Sequence, residues 1–186
     1  MKYAHYDETN GKILGWYDSE IHKTIPTPNI EVSETDWQVA IDNNYNSVDT
    51  TTGALSFKDF RTLDELKFAK ISEINNACSS QIVSGFTSTA LDTATPTTYH
   101  YQSEQIDQLN LIGLVSGGID DALKCSKDDG NGNPTTWNYE LHTIAQLIQV
   151  LNDGKAYKIS LLTKAANLKA QAQAAATQDD LDAIVW

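Results

Sequence analysis

The chain has 186 residues and a mass of 20.5 kDa, enough to bury an apolar core without disulfides. Lys plus Arg is 13 against 25 Asp plus Glu, a net charge of −12 in which Arg61 is the one arginine. That balance excludes the clustered cations by which proteins hold nucleic acid or anionic membranes, and no apolar run reaches the ~20 residues of a membrane span.

Residues 2–7 and 12–18 are aromatic-rich runs split by Asn10-Gly11, the short-range signature of a β-hairpin. Pro26 and Pro28 hold the next stretch extended. Ser33, set before Glu34, Asp36 and a Trp37/Ala40/Ile41 face, predicts an N-capped short helix with acids at its positive end. Asn43-Asn44 ends it, and a second hairpin is expected across 46–49 and 54–57, turning at Thr51-Thr52-Gly53.

Near residue 60 the pattern changes. Thr62 and Glu65 have capping-box spacing. Leu63, Leu66, Ile71, Ile74, Cys78 and Ile82 behind them predict an amphipathic helix to Ser84-Gly85. Residues 86–91 and 97–102 are expected as short strands around Pro96. Ser103 is the expected cap of a helix with Ile106, Leu109 and Ile112 on its packing side, stopped by Gly117-Gly118. Residues 123–127 and 135–141 form a predicted hairpin across 128–134. A helical tract follows over 142–176, with a candidate break at Asn152-Asp153-Gly154. Its expected apolar face is Ile144, Leu147, Ile148, Leu151, Ile159, Leu162 and Ala166. Thr177-Gln178-Asp179-Asp180 reads as a last cap before Ala183-Ile184-Val185-Trp186. The class is α+β. A small β-rich N-terminal unit over 1–60 (hairpins plus a short helix) precedes an α+β domain over 61–186, with two or three amphipathic helices and short β-hairpins.

The chemistry-bearing patterns are weak. Asp128-Asp129-Gly130-Asn131-Gly132-Asn133 looks like a calcium loop, but placing either glycine sixth puts Lys127 or Cys125 at the first ligand position. A polar turn is expected instead. His5, His22, His100 and His142 have no zinc spacing. Gly113-Leu114-Val115-Ser116-Gly117 sets its serine one place late for a nucleophile elbow. Cys78 and Cys125 lack metal or redox spacing and are expected as buried free thiols. The expectation is no catalytic residue, no metal and no cofactor. Residues 1–7 lack the apolar stretch of a secretion signal, so folding in a cytoplasm is expected. The aromatics carry more information: Tyr3, Tyr6, Trp16, Tyr17, Tyr99, Tyr101, Trp137 and Tyr139 lie on predicted strands, whose alternation sends part of each set inward and part outward. Packing is the favoured role, with Trp16 and Trp186 the expected exceptions. Trp186 has to dock on its own core or on a partner.

Several segments, in order over 67–186, resemble a family found in tail-gene clusters of bacteriophages and prophages, with a C-terminal domain of unassigned function. They are Ile74-Asn75-Asn76-Ala77-Cys78, Gly85-Phe86-Thr87-Ser88-Thr89-Ala90-Leu91, Asp107-Gln108-Leu109-Asn110-Leu111, Cys125, Trp137, His142-Thr143, Gln146, Val150, Asp153-Gly154-Lys155 and the final Ala183-Ile184-Val185-Trp186. The N-terminal stretch is similar to tail-fibre assembly proteins in its Tyr-Asp…Asn-Gly hairpin, in Ile25-Pro26 and Ile30-Glu31-Val32-Ser33, and in Asp36-Trp37-Gln38. The stretch 91–96 departs from the family in being longer and more polar.

The resemblance implies a non-enzymatic tail-fibre assembly chaperone, or a minor structural component of the fibre or baseplate. Such a protein would work in the host cytoplasm during assembly or stay on the virion tail. Its implied partner is a fibre or baseplate protein, with a trimeric fibre foremost. Partner contact is expected at Trp16, Tyr17, Trp37, Trp137 and Trp186. The alternative is a receptor- or carbohydrate-binding module that stacks host surface sugars on Trp16, Tyr99, Tyr101 or Trp137. A tail-associated cell-wall hydrolase is the remote alternative, since a carboxylate pair leaves no sequence signature of its own.

Overall fold

A computed structural model describes residues 1–92 and 97–186; the expected turn at Pro96 lies outside them. The protein is mixed α+β, in two compact units, Met1–Thr62 and Leu63–Trp186.

In the first unit, β1 (Lys2–Tyr6) and β2 (Ile13–Asp18) pair antiparallel, with Ala4 opposite Trp16. The Asp7 carboxylate organises their turn, accepting from the Thr9 N–H at 2.8 Å, the Thr9 hydroxyl at 2.6 Å and the Asn10 amide at 3.1 Å. Gly11 completes it at φ +78°. Beyond the prolines, β3 (Asn29–Val32) adds to the other side of β1, so the extended stretch delivers a third strand. Helix α1 (Glu34–Asp42) starts at Ser33, whose Oγ accepts from the Asp36 N–H, and its chain reverses at Asn44, φ +54°. A two-stranded ribbon follows, β4 (Ser47–Val48) and β5 (Leu55–Ser56). The Val48 N–H donates to the Gly11 carbonyl at 2.7 Å, clamping this ribbon to the first turn. Ala4, Val32 and Val48 form the buried centre, with Trp16, Trp37, Ile30 and Leu55 packed around it.

The second unit opens with α2 (Leu63–Val83). An antiparallel four-stranded sheet follows, in the order β6 (Phe86–Ser88), β7 (Tyr99–Tyr101), β8 (Asp121–Asp128), β9 (Pro134–His142). Helix α3 (Gln105–Gly117) sits in the chain between β7 and β8, and α4 (Ile144–Ala174) and α5 (Gln178–Asp182) close the chain. One apolar cluster centres on Ile74, Cys78, Leu161, Ala165 and Ala172; a second joins Tyr101, Leu111, Cys125, Leu147 and Val150. Both cysteines are buried free thiols.

Four expectations are corrected here. Ser103 is not the α3 cap. Its hydroxyl donates to the Ile82 carbonyl at 2.6 Å and accepts from the Gly85 N–H at 2.9 Å, fastening the end of α2 to the start of α3. Glu104 takes the cap position, with its N–H bound to the Asp107 carboxylate. Ile106, Leu109 and Ile112 face solvent, and Leu111 is the buried residue, flanked by Leu114 and Val115. Helix α3 is apolar around most of its girth, so periodicity could not choose between the two stripes. Finally, α4 does not break at Asn152-Asp153-Gly154. The Phe86 ring lies directly on Gly154, where an added β-carbon would meet it at 2.9 Å. The Asp153 carboxylate accepts from the Ser88 hydroxyl at 2.5 Å and the Gln149 amide at 2.7 Å. The apparent helix breakers are the residues through which the helix grips β6. The face of α4 is corrected with it. Leu147, Val150, Leu161, Ala165 and Ala172 are buried, whereas Ile148, Ile159 and Leu162 are exposed.

His142 is wholly buried at the β9–α4 junction. Its Nδ1–H donates to the Glu140 carbonyl at 2.8 Å and its Nε2 accepts from the Tyr101 hydroxyl at 3.0 Å, a pairing that requires the neutral ring. Burial lowers its pKa from the ordinary 6.5. The unfolded chain therefore takes up a proton that the fold refuses. The associated stability is complete above about pH 6.5 and falls as pH drops towards the lowered folded value. Chemical melts between about pH 7 and pH 5 should show this loss, and His142→Asn should flatten that part of the profile.

Candidate binding surface

Each sheet has one face turned towards a core and one turned away, and strand alternation assigns the aromatics between them. In the first unit, Lys2, Ala4 and Tyr6 share a face with Trp16 and Ile30, the face that carries the buried centre. Trp16 and Trp37 therefore meet in one packing cluster. Lys2 Nζ lies 4.6 Å from the centroid of the Trp37 ring while donating to Asp18 at 2.8 Å. That hydrogen bond is the main reason the Asp18 carboxyl is held down to about 2. Tyr17 lies on the opposite face, edge-on to His5 (centroids 6.2 Å apart) and to His22 (5.2 Å).

In the second unit, Thr87, His100, Ser126 and Trp137 form one row across all four strands, on the face away from Tyr101 and Cys125. The adjoining rows pair Lys124 with Tyr139 and Ala122 with Leu141. Trp137, Tyr139 and Leu141 thus stand in line along β9. Tyr139 is 73% exposed and Leu141 71%, and Lys124 Nζ lies 5.9 Å from the Trp137 ring centroid. His100 Nε2 contacts the Asp128 carboxylate at 2.7 Å, which with the Gly130 and Gly132 N–H groups lowers the Asp128 pKa. Asp129 likewise accepts from Asn131 and Asn133 N–H groups. The acids of the calcium-like loop are spent on their own turn, and no group of three His, Cys, Asp or Glu side chains able to hold a metal occurs among the described residues.

Strand β7 ends at Tyr101, where the chain leaves for α3, while β8 continues back to Asp121. A notch of about 440 Å³ opens there, lined by Leu109, Leu111 and Leu114 of α3, by Tyr101, and by Lys124 and Tyr139 at the rim of the outer face. Apolar side chains mixed with the Lys124 amine, the Asp107 carboxylate and the Gln102 and Asn110 amides suit this surface to binding. The nearby Cys125 thiol is unsuited to nucleophilic work, because burial pushes its pKa up to about 11.

Of the residues expected to meet a partner, Trp16 and Trp37 pack within the first unit, Tyr17 faces outward from it, and Trp137 stands on the open β9 face. Trp186 docks on its own core, with Lys164 Nζ 4.7 Å from the centroid of its ring. The partner-contact set expected from sequence leaves out Leu141, Lys124 and Tyr139, the last named only among the strand aromatics. The two-residue spacing from Trp137 places Tyr139 and Leu141 on its face once the strand is drawn.

Residues 65–185 match the family described as "Domain of unknown function (DUF4376)". No curated protein and no solved structure matches the chain.

Proposed function

We propose that this chain, which belongs to the DUF4376 family, is a non-enzymatic binding protein of bacteriophage tail fibres, serving as an assembly chaperone or as a minor component of the fibre or baseplate. The observation that carries this reading is the line Trp137, Tyr139, Leu141, displayed on an uncovered strand. Aromatic anchors on a rigid strand supply binding energy at low entropic cost. The tail-gene resemblance supplies the class of partner, and the charge of −12 keeps the remaining surface soluble and selective.

The test is co-expression with a bacteriophage tail-fibre protein. Co-purification of the two is expected, as is its loss in a Tyr139→Ser/Leu141→Ser double variant whose melting curve is unchanged. A fibre that trimerises equally well alone and never associates with the wild-type chain would sink the proposal.

A further inference from the structure

Among the described residues no strand pairs with the outer side of β9, which is open as well as its face. In β8, the Asp128 N–H donates to the Thr98 carbonyl at 3.0 Å, so the even-numbered residues of β8 turn their backbone groups towards β7 and the odd-numbered ones towards β9. Because Leu123 faces Glu140 and Cys125 faces Asn138, β9 uses Asn138 and Glu140 to bond β8. Beyond the irregularity at its start, it turns the N–H and C=O groups of Trp137, Tyr139 and Leu141 outward. Edge strands are ordinarily guarded by lysine, proline, bulges or brevity. This one has 9 residues. After the initial Pro134 it holds neither Lys nor Pro, its pairing irregularity is confined to the Asp128 end, and its one charge is Glu140.

We propose that β9 pairs antiparallel with β9 of a second copy, about a two-fold axis at Asn138, joining two four-stranded sheets edge to edge. In that register Trp137 faces the copy's Tyr139 twice, and Glu140 faces Thr136. No charge meets its like, although the chain as a whole is strongly acidic. The other edge of the sheet, β6, has 3 residues and is packed by α4, so the assembly closes at two instead of propagating. A single strand pair lies at the small end of specific interfaces, below about 1,200 Å², which makes the dimer reversible. The inference concerns the edge and stands whether or not a fibre binds the face.

Sedimentation equilibrium over a dilution series tests it. The apparent mass should rise with concentration from one chain to two, and no further. Tyr139→Pro removes an outward N–H and should hold the protein at one chain. Tyr139→Lys places a guard charge on the edge and should do the same with an unchanged circular dichroism spectrum and melting curve, which separates loss of pairing from loss of fold. Asn138→Cys should cross-link to its counterpart under mild oxidation, since facing residues of a non-hydrogen-bonded pair lie about 4.5 Å apart at Cα and Cys78 and Cys125 are buried. A wild-type chain that stays single throughout overturns the proposal. So does a dimer that survives both Tyr139 changes while Asn138→Cys stays uncross-linked. Protection of β9 amides only when fibre is added would assign the edge to a fibre strand.

Discussion

Leu147→Ala is expected to cost the second unit about 2–5 kcal/mol of stability, whereas Leu162→Ala on the same helix should cost about 1 kcal/mol or less. Both changes remove the same atoms. Leu147 is fully buried between α4 and the sheet, in the cluster with Tyr101, Leu111 and Cys125, so its truncation leaves a cavity. Leu162 is 48% exposed and leaves little. Urea melts followed by far-ultraviolet circular dichroism would measure the pair. Equal losses would mean that α4 is rotated from the orientation described.

The first unit should be most sensitive at Gly11. Gly11→Ala is expected to cost about 2–3 kcal/mol: roughly 1–2 for a side chain held at positive φ, and about 1 for a weakened hydrogen bond. The residue stands at φ +78° with the Val48 carbonyl lying where a β-carbon would project, and its own carbonyl accepts from the Val48 N–H. Room for the methyl group can come only from moving β4. Gly53→Ala is the control, because Gly53 has similar φ (+73°) with open space around it and should show the backbone cost alone. Fluorescence of Trp16 and Trp37, which share the affected cluster, would report the loss. Equal destabilisation by the two changes would remove the role given to the Val48 contact.

These positions mark where sequence suffices and where it stops. The Asn10-Gly11 hairpin, the Ser33 cap, the turn at Gly53 and the stop at Gly118 were legible because each is decided within a few residues. Ser103 and Gly154 were misread because their partners are distant in sequence: Ile82 and Gly85 for the serine, Phe86 for the glycine. The faces of α3 and α4 were misassigned because both helices carry apolar residues on two sides, and only the packed sheet selects one. The candidate surface is legible in its chemistry and not in its exposure. Trp137 was named, and alternation adds Tyr139 and Leu141. That β9 lies uncovered depends on where α3 and α4 pack, which no local pattern states. Alternation likewise separates Trp16 from Tyr17 without saying which of them points inward.

The unbroken course of α4 has a mechanical consequence. Its 31 residues make a rod about 46 Å long. Leu147 and Val150 near one end belong to the sheet cluster, while Leu161, Ala165 and Ala172 towards the other belong to the α2–α5 cluster. Bending would be cheapest at Gly154, and there the Phe86 ring latches the rod to the sheet. Two cores strung on one latched rod cannot loosen separately. Force or loss of packing at one cluster reaches the other through the helix backbone, so the second unit yields as one cooperative block, β9 included.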